Sequence, residues 1–116
     1  MWQRFRQWLA EQASGGELGA DIHRLISLAP EQDLRGMDLR GVELIGVVMH
    51  RSRLDGADLS RAELCSIDLR NSRLADARLQ EANMFRSHLN NCTLSRANLG
   101  GAHLREASLQ LSLIHI

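Results

Sequence analysis

The sequence is almost without aromatic residues: Phe and Trp make up 3% of its 116 residues, and Tyr is absent. A core built around large rings is therefore excluded, and any core must be aliphatic. Lysine is also absent, so 14 arginines balance 14 aspartates and glutamates. This neutral charge gives no electrostatic reason to expect a nucleic acid or an anionic membrane as a direct partner.

Long apolar runs and cysteine motifs are missing as well. No stretch is long and apolar enough to predict a transmembrane helix, and residues 1–12 are too polar for the apolar core of a secretory signal. The two cysteines, Cys65 and Cys92, indicate neither a disulfide framework nor a metal motif. These features predict a cytoplasmic protein.

A period of five residues organises most of the chain. Within residues 32–110 every fifth residue is leucine or methionine, usually with a small residue two positions before it and a polar residue between. The small inward residue is most often alanine, with Ser52, Ser72, Ser87 and Cys92 as near equivalents. The sixteen central residues are Leu34, Leu39, Leu44, Met49, Leu54, Leu59, Leu64, Leu69, Leu74, Leu79, Met84, Leu89, Leu94, Leu99, Leu104 and Leu109. Neither a helix nor a flat strand keeps residues five apart on one face. The chain must therefore turn a corner in every repeat, and its turns must stack as a solenoid with the central residues inside.

The pattern, written loosely as A(D/N)LxR, resembles the pentapeptide repeat family, as in Ala57-Asp58-Leu59 and Ala97-Asn98-Leu99. The resemblance implies an all-β solenoid, a right-handed quadrilateral β-helix with four pentapeptides in each of about four coils. The expected organisation is two short helices over residues 1–31, the β-helix over residues 32–110, and a tail over residues 111–116.

In a four-sided coil, residues twenty apart stack directly on each other, so charged pairs at this spacing should have opposite signs. Six pairs do: Asp33 and Arg53, Arg35 and Asp55, Asp58 and Arg78, Arg61 and Glu81, Asp76 and Arg96, and Arg86 and Glu106. Three pairs do not: Asp38 and Asp58, Glu43 and Glu63, and Arg53 and Arg73. Asn71 and Asn91 are predicted to form a side-chain amide ladder.

The first 31 residues lie outside the repeat. Large apolar residues recur there at helical spacing: Trp2, Phe5, Trp8 and Leu9. A second amphipathic segment ends before Pro30, so two short helices are predicted. Two interpretations stay open. The helices cap the open end of the β-helix, or the first one docks elsewhere, for instance on a membrane surface through its aromatic residues with Arg4 and Arg6.

The last six residues, LSLIHI, are what the codons CTG TCT CTT ATA CAC ATC would encode, and that string matches a transposon adapter end used in preparing sequencing libraries. We therefore expect residues 111–116 to be a non-native scar and the natural protein to continue beyond about Gln110. The nucleotide sequence tests this expectation, since different codons would contradict it. An open last coil would favour self-association.

One line of the predicted surface is apolar. In steps of twenty, the position after the central residue on the third side is occupied by Ile45, Cys65 and Phe85, and Val48 lies around the corner. Contiguous exposed apolar area is typical of a contact surface. We call these four residues the apolar stripe. The N-terminal helices, a second copy of the chain and another protein are all candidates to cover it.

Residues that could carry chemistry form no recognisable site. The five histidines fall on different sides or levels of the coil: His23, His50, His88, His103 and His115. Aspartates and glutamates occupy repeat positions rather than a cleft, and a leucine-filled interior leaves no space for a substrate. We therefore expect no cofactor, no metal and no enzymatic activity.

The favoured interpretation is a rigid scaffold for protein–protein interactions whose partner the residues do not identify. The family resemblance suggests an alternative, because some similar proteins mimic duplex DNA and bind type II topoisomerases. That role needs an acidic surface, whereas residues 33–110 contain 11 Arg against 10 Asp and Glu. A membrane-surface adaptor acting through the N-terminal aromatic helix is the other alternative.

Overall fold

Residues 33–112, the part of the chain that the computed structural model describes, wind into a continuous square coil. Within this range the structure has no helix and no strand of several residues, only single-residue parallel bridges between positions twenty apart. The bridges form four columns, which define sides 1 to 4: Asp33, Arg53, Arg73 and Thr93; Asp38, Asp58, Arg78 and Asn98; Glu43, Glu63, Asn83 and His103; Val48, Asp68, His88 and Ser108. The spacing confirms four pentapeptides in each coil, so coils 1 to 4 are residues 33–52, 53–72, 73–92 and 93–112.

Each corner of the coil is a two-residue turn that follows a central residue. The second turn residue has a φ between 57° and 71° at every corner, and at all corners but one the next inward N–H donates to the central carbonyl, as from Ala57 to Leu54 at 3.0 Å. A positive φ at this place is the mark of a type II turn. Five corners use glycine and eleven use other residues, none of them β-branched, because β-branched side chains tolerate positive φ least.

Backbone hydrogen bonds join neighbouring coils on every side. On side 1, the Leu54 N–H donates to the Arg73 carbonyl at 2.7 Å, and at the following corner the Gly56 N–H donates to the Ala75 carbonyl at 2.8 Å. On side 2, the Asp58 N–H donates in the opposite direction, to the Met37 carbonyl at 2.9 Å. Because each coil satisfies backbone groups of its neighbours, the pentapeptides are stable only as a stack.

The central residues fill the interior, as the repeat predicts. Thirteen of them, from Leu34 to Leu94, are 0–1% exposed. The prediction is wrong in degree for the last three, Leu99, Leu104 and Leu109, which are only partly buried. The physical reason is that no further coil within the described residues packs on top of them.

The inward positions between the central residues vary along the rod. Alanine predominates in coils 2 to 4, whereas coil 1 carries Met37, Val42 and Val47, and all three are buried. Ser52, Ser72, Ser87 and Cys92, predicted as near equivalents of alanine, are also buried. A uniform small residue is therefore not required; total volume must fill each layer.

Two of the inward serines form buried hydrogen bonds that an alanine could not. At the corner between Met49 and Ser52 the usual backbone bond is missing. The Ser52 and Ser72 hydroxyls both donate to the Met49 carbonyl, and the Ser52 N–H donates to Ser72 Oγ at 3.1 Å. Ser87, by contrast, is buried and its hydroxyl has no partner among the described residues.

Two predictions fall wholly or partly outside the described residues. The two N-terminal helices, with Trp2, Phe5, Trp8 and Leu9, lie outside residues 33–112, as do the last four residues of the tail. Leu111 and Ser112 continue the coil, with a φ of 63° at Leu111 and a turn bond from the Ser112 N–H to the Leu109 carbonyl at 3.1 Å. Across residues 33–112, no helix has the length and apolar character needed to span a bilayer.

Candidate interaction surface

The coil brings the residues of the apolar stripe onto one edge of side 3. Ile45, Cys65 and Phe85 occupy the first turn position in coils 1, 2 and 3, where the other sides mostly carry polar residues. Ile45 is 51% exposed, and Cys65 and Phe85 are half-buried. Apart from Leu111, the only large apolar residues exposed within residues 33–112 are Ile45 and Val48.

A bare corner joins the two exposed apolar residues of coil 1. Gly46 lies between side 3 and side 4 with a φ of 71°, and a Cβ built on it would meet no atom within 4 Å. Val48, 48% exposed, follows directly on side 4. Because no side chain projects from the corner, the apolar surface continues from Ile45 to Val48.

Carboxylates border the stripe on side 3. Glu43 and Glu63 are bridged neighbours in the same column, so two like charges are stacked at the strand spacing. Within residues 33–112, neither forms an ion pair with an arginine, and Glu63 is stabilised only by Asn83, whose Nδ2 donates to Glu63 Oε2 at 3.1 Å. Unneutralised like charges at this spacing favour a cationic partner.

The stripe ends in coil 3 at a cation. The Arg86 guanidinium lies 4.9 Å from the centre of the Phe85 ring, close enough for a cation–π interaction. Arg86 is fixed there by Glu106, which accepts from Arg86 Nε at 2.8 Å. The stripe therefore lies beside the carboxylates of Glu43 and Glu63 in coils 1 and 2 and ends in coil 3 at an arginine that is paired with Glu106.

The remaining acidic side chains of the coil are mostly paired with arginine. Of the six pairs predicted at a spacing of twenty, four form: Asp58 with Arg78 at 3.9 Å, Arg61 with Glu81 at 3.0 Å, Asp76 with Arg96 at 2.9 Å, and Arg86 with Glu106 at 2.8 Å. The amide ladder also forms, with Asn91 Nδ2 donating to Asn71 Oδ1 at 2.6 Å. Such exposed pairs contribute about 0–1 kcal/mol each.

The other two predicted pairs are replaced by pairs the sequence reasoning missed. Asp33 accepts two hydrogen bonds from Arg35, two residues along the same side, and Asp55 pairs with Arg73 at 3.4 Å. The same two-residue fork joins Asp38 to Arg40 and Asp68 to Arg70. In each of these two forks the arginine hydrogen bond lowers the pKa of the aspartate. The signal that could have found them is the Asp-x-Arg spacing across one central residue.

The two cysteines differ in environment. Cys65 is half-buried on the stripe, whereas Cys92 is buried, donates its thiol to the Leu69 carbonyl at 2.8 Å, and has its pKa raised by burial to about 11. A protonated buried thiol is a poor nucleophile. The structure thus agrees with the inward placement of Cys92, and no group of three His, Cys, Asp or Glu side chains within residues 33–112 could hold a metal ion.

Alkylation is expected to distinguish these thiols. At pH 8 iodoacetamide should label Cys65 in the native protein and reach Cys92 only after denaturation. Burial raises the pKa of Cys92 from the ordinary 9.0 to about 11. The stability that the folded protein gains from the protonated Cys92 thiol is therefore complete below pH 9 and is lost as the pH rises through about 11. Peptide mass spectrometry measures the labelling, and native labelling of both thiols would contradict the burial of Cys92.

Comparison with known proteins identifies the repeat. The sequence model described as pentapeptide repeats matches in eight copies, over residues 31–61, 52–91 and 82–110. A search of curated proteins gave no match. Among solved structures, the pentapeptide repeat protein Rfr23 from the cyanobacterium Cyanothece 51142 superposes with a TM-score of 0.71 at 26% identity, over 72% of this chain and 58% of its own.

Two further solved structures are similar. HetL, a pentapeptide repeat protein involved in heterocyst differentiation regulation from Nostoc sp. strain PCC 7120, superposes with a TM-score of 0.71 at 32% identity, over 72% of this chain and 38% of its own. The pentapeptide repeat protein alr5209 from Nostoc PCC 7120 superposes with a TM-score of 0.60 at 26% identity, over 84% of this chain and 86% of its own. This chain therefore spans 58% of Rfr23 and 38% of HetL.

Proposed function

We propose that this chain, which belongs to the pentapeptide repeat family, is a non-enzymatic scaffold that binds a protein partner through the apolar stripe. Proteins of this family are right-handed quadrilateral β-helices and generally serve as structural or interaction proteins. The observation that carries the proposal is the apolar line of Ile45, Cys65 and Phe85 on a rod whose other sides are covered by polar and ion-paired residues.

The packed interior supports a role based on contact. From Leu34 to Leu94 the central side chains are buried at 0–1% exposure, so a substrate could reach only the outer positions. HetL is described as involved in the regulation of heterocyst differentiation, and a regulatory role through contact with another protein is the corresponding proposal for this chain. We also propose a cytoplasmic location, which two cysteines without a disulfide support.

A duplex-DNA mimic is not favoured by the described surface. A mimic presents rows of carboxylates, whereas here Asp38, Asp58 and Asp68 each pair with an arginine. Eleven arginines against ten acidic residues in residues 33–110 leave no acidic face of the required extent. The described surface therefore supports a protein scaffold better than a mimic of duplex DNA.

Replacing Phe85 is expected to weaken partner binding without unfolding the coil. Serine already occupies the same turn position at Ser60 and Ser95, so Phe85→Ser is compatible with the corner. Loss of an aromatic anchor at a contact costs about 2 kcal/mol or more, which corresponds to a fall in affinity of about thirtyfold or more. Quantitative affinity capture from the native cytosol measures the loss.

Gln80→Ser is the matched control, because Gln80 holds the same turn position in the same coil on side 2. A specific partner should be captured by the wild type and by Gln80→Ser and be depleted with Phe85→Ser. The partner is then purified and its Kd determined for all three proteins. Equal affinities would show that binding, if present, does not use the stripe.

A further inference from the structure

We infer that the apolar stripe is occupied within the same chain by the N-terminal segment, residues 2–9, which an external partner must displace. The inference rests on the proposed function in one respect, that the stripe is a contact surface. It adds the identity of the resident occupant and makes partner binding competitive. Three independent matches between segment and surface support it: apolar length, charge, and clearance at the corners of coil 1.

The apolar lengths agree. Trp2, Phe5 and Leu9 recur at helical spacing, and on a helix the step from residue 2 to residue 9 covers about 10 Å at 1.5 Å per residue. The stripe runs over two coil steps from Ile45 to Phe85, which is also about 10 Å at the strand spacing. Three of the four aromatic residues of the chain lie in this segment, and the fourth is Phe85. Docking of the segment on the stripe would therefore bring all four into one contact.

The charges are complementary. Glu43 and Glu63 are stacked beside the stripe and form no ion pair with an arginine within residues 33–112. The segment carries Arg4 and Arg6, and no acidic residue occurs before Glu11. Because exposed ion pairs contribute about 0–1 kcal/mol each, apolar burial would provide most of the affinity and the charges would set the orientation.

The corners of coil 1 are unusually bare. Gly36, Gly41 and Gly46 occupy three of its four corners, and a Cβ on any of them would meet no atom within 4 Å. In coils 2 to 4 seven of the nine equivalent positions carry side chains at a similar φ, such as Arg61 and Arg86, and the two exceptions are Gly56 and Gly101. A positive φ therefore does not by itself demand glycine here, and the cleared corners fit a segment that crosses coil 1.

The connecting chain can reach. Residues 10–32 number 23, and at up to about 3.3 Å per residue they could span far more than the width of one coil. Local attachment also gives the segment a high effective concentration at the stripe. A partner with an equivalent apolar and basic segment would have to compete with it.

Tryptophan fluorescence of the full chain tests the occupant, because Trp2 and Trp8 are its only tryptophans. Wild-type emission is expected to lie to the blue of a synthetic peptide of residues 1–13. Gly46→Arg should shift the emission to the red, toward that of the free peptide. Gly56→Arg is the matched control: Gly56 has a φ of 69° and the same open space around its Cβ, but it lies at the corner after side 1, away from the stripe. Both variants should show equal stability by circular dichroism.

A charge exchange provides the second readout. The double variant Glu43→Arg, Glu63→Arg should shift emission to the red, and adding Arg4→Glu with Arg6→Glu should restore the wild-type spectrum. Wild-type emission equal to that of the free peptide would overturn the inference, as would equal red shifts for Gly46→Arg and Gly56→Arg, or no shift in either. A blue shift that depends on protein concentration would overturn it in favour of a second copy of the chain. Loss of partner capture by Phe85→Ser would still stand in each case, so the two proposals can fail separately.

Discussion

Leu69→Asp is expected to prevent cooperative folding of the coil under conditions where the wild type is folded. Leu69 is 0% exposed and lies in the side 4 column between Met49 and Leu89. Truncating a buried leucine to alanine costs about 2–5 kcal/mol, and burying an unpaired carboxylate adds several kcal/mol more. Together these approach the whole stability of a typical domain, about 5–15 kcal/mol.

Thermal unfolding followed by circular dichroism measures the effect, with Leu109→Asp as the matched control. Leu109 occupies the same column but is only partly buried, so its carboxylate can reach water and the fall in Tm should be much smaller. Even a loss of about 4 kcal/mol at Leu69 corresponds to a fall in Tm of about 16–32 °C for a unit of this size. Equal, small changes in both variants would contradict the inward assignment of the central residues.

The fold could be predicted from the sequence because one physical requirement determines most positions. A residue that recurs every five positions can stay buried only if the chain turns a corner in each repeat, and every corner from Gly36 to Leu111 has the positive φ of such a turn. Periodicity alone did not determine the number of sides, which came from the family resemblance. The bridges between residues twenty apart, such as Asp33 and Arg53, now determine it directly.

The surface could be predicted only in part, because side chains choose among several partners within reach. Asp33 is the bridged neighbour of Arg53, yet its carboxylate accepts two hydrogen bonds from the Arg35 guanidinium. The planar guanidinium can make two short bonds to one carboxylate at once. The apolar stripe followed from the spacing of twenty. The spacing did not predict the bare corner at Gly46 or the lack of arginine partners for Glu43 and Glu63. Both features depend on where the neighbouring side chains point and which partners they choose.

The buried serines show the same limit inside the core, where sequence reasoning treated them as substitutes for alanine. Their environments are opposite. Ser72 Oγ donates to the Met49 carbonyl at 3.2 Å and accepts from the Ser52 N–H at 3.1 Å, whereas Ser87 Oγ is buried with no partner among the described residues. A hydroxyl that completes a backbone corner stabilises the coil, and a hydroxyl buried without a partner destabilises it.

The same substitution at these two positions is therefore expected to change stability in opposite directions. Ser72→Ala leaves the Ser52 N–H without an acceptor and should lower the free energy of unfolding by about 1–3 kcal/mol. Ser87→Ala removes the desolvated hydroxyl and should raise it by about 1 kcal/mol. Urea unfolding of both variants beside the wild type measures the two differences, and changes of the same sign would contradict the hydrogen bonds assigned to the corner between Met49 and Ser52. Both variants lose the same atom from a buried inward position, so the expected difference in sign reflects the partners of that hydroxyl.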